Sequence, residues 1–177
     1  MAEVSEAAVQ LVAHFEGFKS RAYLDVAGVP TIGYGSTRID GMAVFMGQSI
    51  NIERARTALI VGLNEAAAEV ERALPGVELR QWQLDALASF VYNVGAGSFR
   101  TSTLRRVVQA DSYSTQVAAE LARWNKASVV QRNERGEVVR DAAGRVVRKK
   151  VAVAGLTRRR AAEAHLYLTG EVELAEA

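Results

Sequence analysis

The sequence predicts a mixed α+β fold, with a small antiparallel sheet set among a larger number of helices. Three observations carry this reading. Apolar residues recur at helical spacing over most of the chain. Glycine and proline instead crowd one window, 21–46, where only short runs such as Ala22-Tyr23-Leu24 and Thr31-Ile32 separate them. Directly after that window comes one unbroken helical pattern, long enough to join two lobes.

The elements follow in order. Ala8, Leu11, Val12 and Phe15 fall on one helix face, with Ser5 as the expected N-cap and Gly17 as the stop. Gly28, Pro30, Gly33, Gly35, Gly41 and Gly47 then punctuate the sheet, giving a small β lobe over about 17–48. Asn51 caps the second helix, which keeps its period from Ala55 to Leu74 until Pro75-Gly76 ends it. About 23 residues at about 1.5 Å each make a rod near 35 Å. A helical lobe is expected over about 79–177. Its segments lie at about 80–93, 101–110, 114–126 and 157–169, with a break at Gly95-Ala96-Gly97. Within it, residues 128–154 alternate Val-Val pairs with charged side chains around Asp141-Ala142-Ala143-Gly144. This reads as a single β-hairpin insert, and no internal repeat is expected. All of this fits one domain of 177 residues.

Composition narrows the chemistry. The chain has no cysteine, which excludes disulfides, thiolate metal sites and cysteine nucleophiles, and only two histidines, His14 and His165. No metal or cofactor is expected. No run of about 18 apolar residues occurs and the amino terminus does not read as a secretory signal, so stable membrane insertion is not expected. Net charge is +2 but uneven: residues 1–99 carry −4 and residues 100–177 carry +6. The basic half favours an anionic partner.

The chemically informative stretch is EGFKSRAYLDVAGVPTIGYG, residues 16–35. Glu16 ends a helix, Asp25 follows in a turn of the sheet, and Thr31 lies six residues on. A helix end folded back through a strand can bring two carboxylates to opposite walls of one groove. Hydrolysis of a glycosidic bond needs one protonated acid at the leaving oxygen and one ionised carboxylate at the opposite face of the sugar. A hydroxyl near the second carboxylate can hold the attacking water by accepting and donating at once.

The spacing Glu-x8-Asp-x5-Thr, with Tyr-x-Asp and Gly-x-x-Thr-Ile-Gly-Tyr-Gly, resembles the catalytic signature of the phage lysozyme (endolysin) family of muramidases. Two further blocks resemble the family in order. One is Gln83 to Gly95, continuing through Phe99 and Ser102-Thr103-Leu104. The other is Arg123-Trp124 with Gly155 to Arg160 and Glu163. The resemblance implies the lysozyme-like α+β fold, with a cleft between the two lobes. Glu16 would be the proton donor, Asp25 would activate water, and Thr31 would place it. Thr37, Tyr92, Asn93 and Ser102 would line the sugar groove, and Arg159 or Arg160 would be the charge partner of Glu16.

It further implies an endolysin that cleaves the β-1,4 bond between N-acetylmuramic acid and N-acetylglucosamine in peptidoglycan, with inversion. That places the carboxyl groups about 6.5–9.5 Å apart. A monomer is expected, held in the bacterial cytoplasm until a separate pore-forming protein breaches the membrane. The family often has histidine where this chain has Ser36, which implies a changed surface contact.

Three rival readings have weaker support. A non-catalytic peptidoglycan-binding or scaffold protein would not need acid, base and hydroxyl together. A nucleic-acid binder would rest on the basic half alone, without a recognition module, and none is expected. A lytic transglycosylase would not need a hydrolytic base.

Overall fold

The computed structural model describes residues 2–25 and 27–174, so the last three residues of the expected helical lobe lie outside the described residues. The order is α1 (Glu6–Glu16), β1 (Lys19–Leu24), β2 (Pro30–Gly33), β3 (Arg38–Ile39), β4 (Met42–Ala43), α2 (Ile52–Ala73), α3 (Gln81–Val94), α4 (Ala96–Thr101), α5 (Thr103–Ala110), α6 (Gln116–Ala122), β5 (Lys126–Val130), β6 (Arg148–Ala152) and α7 (Ala154–Thr169).

The expected caps form. The Ser5 hydroxyl accepts from the Ala7 N–H and donates to Asp85, tying the start of α1 to α3. Asn51 Oδ1 accepts from the Arg54 N–H at 2.9 Å. Gly17 takes φ +65°, where a side chain would be strained, and α1 stops there. Other boundaries differ from expectation. The break after α3 is Gly95 alone, because α4 starts at Ala96 and absorbs Gly97. The helix expected at 101–110 starts at Thr103 as α5, because the Ser102 hydroxyl accepts from the Arg105 N–H and caps it there, and Thr101 instead ends α4. The sheet is two separate antiparallel pairs, β1–β2 and β3–β4.

Two apolar clusters form the interior. The larger gathers Leu11 and Val12 of α1, Leu59, Leu63 and Val70 of α2, Leu87 and Phe90 of α3, and Leu166 of α7. The smaller is Ile32, Ile39, Val44, Ile50 and Ala55. Helix α2 feeds both, so its length couples them, and Tyr34 packs against both. Trp124 packs edge-on against Phe90, as a core aromatic should.

The insert is not one hairpin. β5 and β6 form a regular stem, but two short side arms close it, bridged at Arg132–Val138 and Arg140–Val146. Where the three meet, the Gln131 N–H donates to the Val147 carbonyl, Val147 N–H to Val139, and Val139 N–H to Gln131, a closed ring of backbone bonds. The cause is a repeat hidden in the sequence: Arg-Asn-Glu-Arg-Gly-Glu-Val-Val at 132–139 and Arg-Asp-Ala-Ala-Gly-Arg-Val-Val at 140–147. The expectation of no internal repeat is therefore corrected. In each unit the Asn133 or Asp141 Oδ1 accepts two backbone N–H groups, two and four residues on. In each, a glycine at positive φ closes the turn (Gly136, +79°; Gly144, +76°).

Candidate active site

Glu16 is the last residue of α1, at the seam between the two clusters. Its side chain is a quarter exposed, and its Oε1 lies 2.6 Å from Arg159 Nη1. Its Oε2 faces Gly35, where an added Cβ would sit 3.5 Å away. That glycine, at φ +86°, lets the β2–β3 turn close over the carboxyl without a side chain between.

Asp25 follows β1 and opens the turn into β2. Its Oδ1 accepts from the Ala27 and Val29 N–H groups, both at 2.8 Å, and Gly28 closes the turn at φ +80°. Two donors fix the carboxylate and leave Oδ2 without a bond to the described residues. In the β1–β2 pair Tyr23 stands opposite Thr31, and Asp25 lies two residues beyond Tyr23, so all three share one face of the hairpin. Thr31 is buried, and its hydroxyl donates to the Val29 carbonyl at 3.0 Å. The expectation that it both accepts and donates toward water is thereby narrowed, since its one proton is committed and only lone pairs remain.

The Tyr23 phenol feels the charge of both carboxyl groups. Its pKa is raised by burial, then by the negative charges of Glu16 and Asp25, so both act on one hydroxyl. Tyr92 adds a wall. Its hydroxyl donates to the Tyr34 carbonyl at 2.9 Å, and burial with the neighbouring Glu16 pushes its pKa up to about 12. The ring sits against α2 at Gly62, where a Cβ would come within 2.9 Å of it. Ser36, expected at a surface contact, is buried with its hydroxyl toward Tyr92.

Behind Glu16 lies a buried ionic network. Arg159 bridges Glu16 Oε1 and, at 3.2 Å, Glu163 Oε1, and donates to the Ser89 carbonyl. Arg160 reaches Glu163 and the Asn93 Oδ1, and stacks over Phe90. The Ser89 hydroxyl donates to Glu163 at 2.7 Å. Burial pushes Glu163 up while Arg160 and Arg159 pull it back down. Burial likewise draws Arg160 down to about 10. Both guanidiniums reach the Glu163 carboxylate and Arg159 also holds the Glu16 carboxyl, so neither buried cation stands without an acidic partner.

The structure thus brings together Glu16, Asp25, Thr31, Tyr92 and Arg159, with Arg160 joined to Arg159 through Glu163 and Asn93 joined in turn to Arg160. Ser102 is not brought to them by any hydrogen bond. Its buried hydroxyl is spent on the Phe99 carbonyl and the α5 cap. Thr37 is exposed before β3, and its carbonyl accepts from the Val44 N–H. The candidate residues omitted Tyr23, Ser89 and Glu163. Tyr23 was visible as the residue two before Asp25, and Glu163 as the partner three and four residues beyond the arginines. Among the described residues, no cluster of three or more His, Cys, Asp or Glu could hold a metal.

Comparison with known proteins bears on this arrangement. The model of the Phage lysozyme family matches residues 13–163. The chain is 34% identical over 170 residues to the endolysin of Bacillus phage B103, covering 95% of this chain and 55% of that protein. The chain thus spans about half the length of this relative. The endolysin from Escherichia coli O157:H7 phage FAHEc1 superposes with a TM-score of 0.78 at 34% identity over 97% of each chain. The muramidase domain of SpmX from Asticaccaulis excentricus superposes with a TM-score of 0.76 at 29% identity, covering 96% of this chain and 99% of that one.

Proposed function

The chain belongs to the phage lysozyme family, and we propose that it is an endolysin hydrolysing the β-1,4 bond between N-acetylmuramic acid and N-acetylglucosamine in peptidoglycan, with inversion. The fold is lysozyme-like α+β. The observation that carries the mechanism is the pair of half-tethered carboxyl groups, Glu16 and Asp25, each with one oxygen held and one left over.

Arg159 holds Glu16 Oε1, so Oε2 carries the proton passed to the glycosidic oxygen as the bond breaks. On the other face, a water has two protons to place and one lone pair to use. Thr31 offers an acceptor because its own proton is committed to Val29, and Asp25 Oδ2 offers another. With both protons so directed, the lone pair points at the anomeric carbon, and Asp25 takes the proton as the new C–O bond forms. Attack from the face opposite the leaving oxygen inverts the configuration. No nucleophilic side chain enters the sequence of steps.

Tyr92 and Asn93 border the sugar groove in this reading, and Thr37 lies on its exposed rim. The protein acts as a monomer on the cell wall, after waiting in the bacterial cytoplasm for a separate pore-forming protein to breach the membrane. Among the described residues no helix is long and apolar enough to cross a membrane.

The test is product analysis of digested sacculi. Reducing ends whose first-formed anomer is α support inverting hydrolysis, whereas 1,6-anhydro ends or a β anomer overturn it. Glu16→Gln abolishes turnover with the fold intact; retained turnover would refute the assigned donor.

A further inference from the structure

The insert carries a charge the proposed mechanism does not use. Residues 126–152 hold eight Lys or Arg against three Asp or Glu, a net +5, whereas the rest of the chain carries 14 against 17, a net −3. Among the described residues only Arg145 of the eight has an ion-pair partner, Asp141. The other seven make no ion pair among the described residues, and the arm keeps a surplus of five positive charges on an acidic body. On the stem, the register puts Lys126, Lys150 and Arg148 on one face, with Ala152, Ser128 and Val130 as their cross-strand neighbours and no acid among them.

The arms also present their arginines in a fixed way. Arg132 donates to the Gly136 carbonyl at 2.7 Å and Arg140 to the Gly144 carbonyl at 2.8 Å, the same bond in each repeat. Each guanidinium is oriented by one nitrogen, and its remaining donors are free to grip a planar anion. The closed ring of backbone bonds at Gln131, Val139 and Val147 holds the arms to the stem. Such preorganisation lowers the cost of binding.

The surface suits one class of partner. It has no aromatic residue and no Leu, Ile or Met, so it lacks the anchors that bury into a lipid interface and the rings on which bases stack. We propose that the three-armed insert is a second, non-hydrolytic binding surface that grips the carboxylates of the peptide stems of peptidoglycan. This deepens the substrate reading above and rests on it. Once anchored, the acidic body is held on a polymer of its own sign while its cleft works along the glycan.

The test uses the full chain carrying Glu16→Gln, so that the polymer is not cut, and sacculi stripped of lipid and teichoic acid. Replacing Arg132, Arg140, Arg148, Lys149 and Lys150 by glutamine brings the insert to zero net charge. The expected result is sacculus binding at least about tenfold weaker at about 50 mM salt, with the difference lost near 500 mM. Sacculi whose carboxyl groups have been amidated should hold the parent as weakly as the five-fold variant. In the Glu16 background the five-fold variant should cleave a peptide-free glycan oligomer at the parental rate. If it misfolds, a chain joining Asn125 directly to Val153, which are already hydrogen-bonded, replaces it. Equal binding by parent and variant, binding that survives amidation, or tighter capture by anionic lipid vesicles would overturn the proposal. Failure of the parent to cleave the glycan oligomer would instead sink the hydrolase reading, which the pelleting assay does not touch.

Discussion

The same five-residue turn occurs three times in this molecule, at Asp25–Val29, Asn133–Glu137 and Asp141–Arg145. In each, the first side chain accepts N–H groups two and four residues on, and a glycine at positive φ sits fourth. Only the first lies across a seam from a glutamate, in a hairpin whose second strand carries a buried threonine. The other two project from the insert. Local chemistry therefore builds the turn, and placement alone turns its carboxylate into a candidate base. That Asn133 serves as well as Asp141 shows that the turn needs only one oxygen. The second oxygen of Asp25 is free for other work.

Substitutions at matched positions test this. Asp25→Asn keeps the accepting oxygen and should keep the turn, so the melting temperature stays put while turnover falls by about 10²–10⁴-fold. Asp141→Asn should change neither, and a comparable loss of turnover there would break the comparison. Kinetics on sacculi alongside thermal melts read both.

The ion pairs of the two regions should differ almost as sharply. Glu163 is fully buried between Arg159 and Arg160, and removing its charge as Glu163→Gln should cost about 3–5 kcal/mol in denaturant unfolding. Turnover should also fall, because Arg159 loses the charge of one of its two carboxyl partners. Arg145→Gln, which removes the exposed partner of Asp141 and leaves the turn's accepting oxygen in place, should leave the unfolding midpoint where it was.

Alkaline unfolding probes Tyr92 at the site wall. The folded phenol, pushed up to about 12, stays neutral where the unfolded one ionises near its ordinary value of about 10. The folded state then holds the extra proton, so this contribution is complete below pH 10 and is lost as pH rises toward 12. It amounts to about 2–3 kcal/mol. Tyr92→Phe should flatten that part of the pH–stability curve.

The smallest effect concerns the turns themselves. Gly28→Ala and Gly144→Ala each force a side chain into positive φ, a cost of about 1–2 kcal/mol. Only Gly28→Ala should also lower turnover, since it disturbs the oxygen that faces water.

Much of this was legible in the chain, for identifiable reasons. Ser5, Gly17 and Asn51 are local signals, because a cap needs only its own few residues. The spacing of Glu16, Asp25 and Thr31 survived into the structure because a helix end, one turn and one strand pair connect them. The commitment of the Thr31 proton was not legible, since it depends on where the Val29 carbonyl points. Nor was the choice among Arg158, Arg159 and Arg160, which α7 settles by burying the last two against Glu163. Ser102 read as a groove residue because cap and ligand use the same hydroxyl. The repeat at 132–147 was masked by divergent side chains at its middle positions, although Arg, Gly and Val-Val recur at a period of eight.

The insert leaves and rejoins the helices at neighbouring points, for the Val153 N–H donates to the Asn125 carbonyl. A segment with such adjoining ends behaves as a cassette. It can be lengthened by another octapeptide, exchanged or cut out by recombination while the flanking helices stay in register.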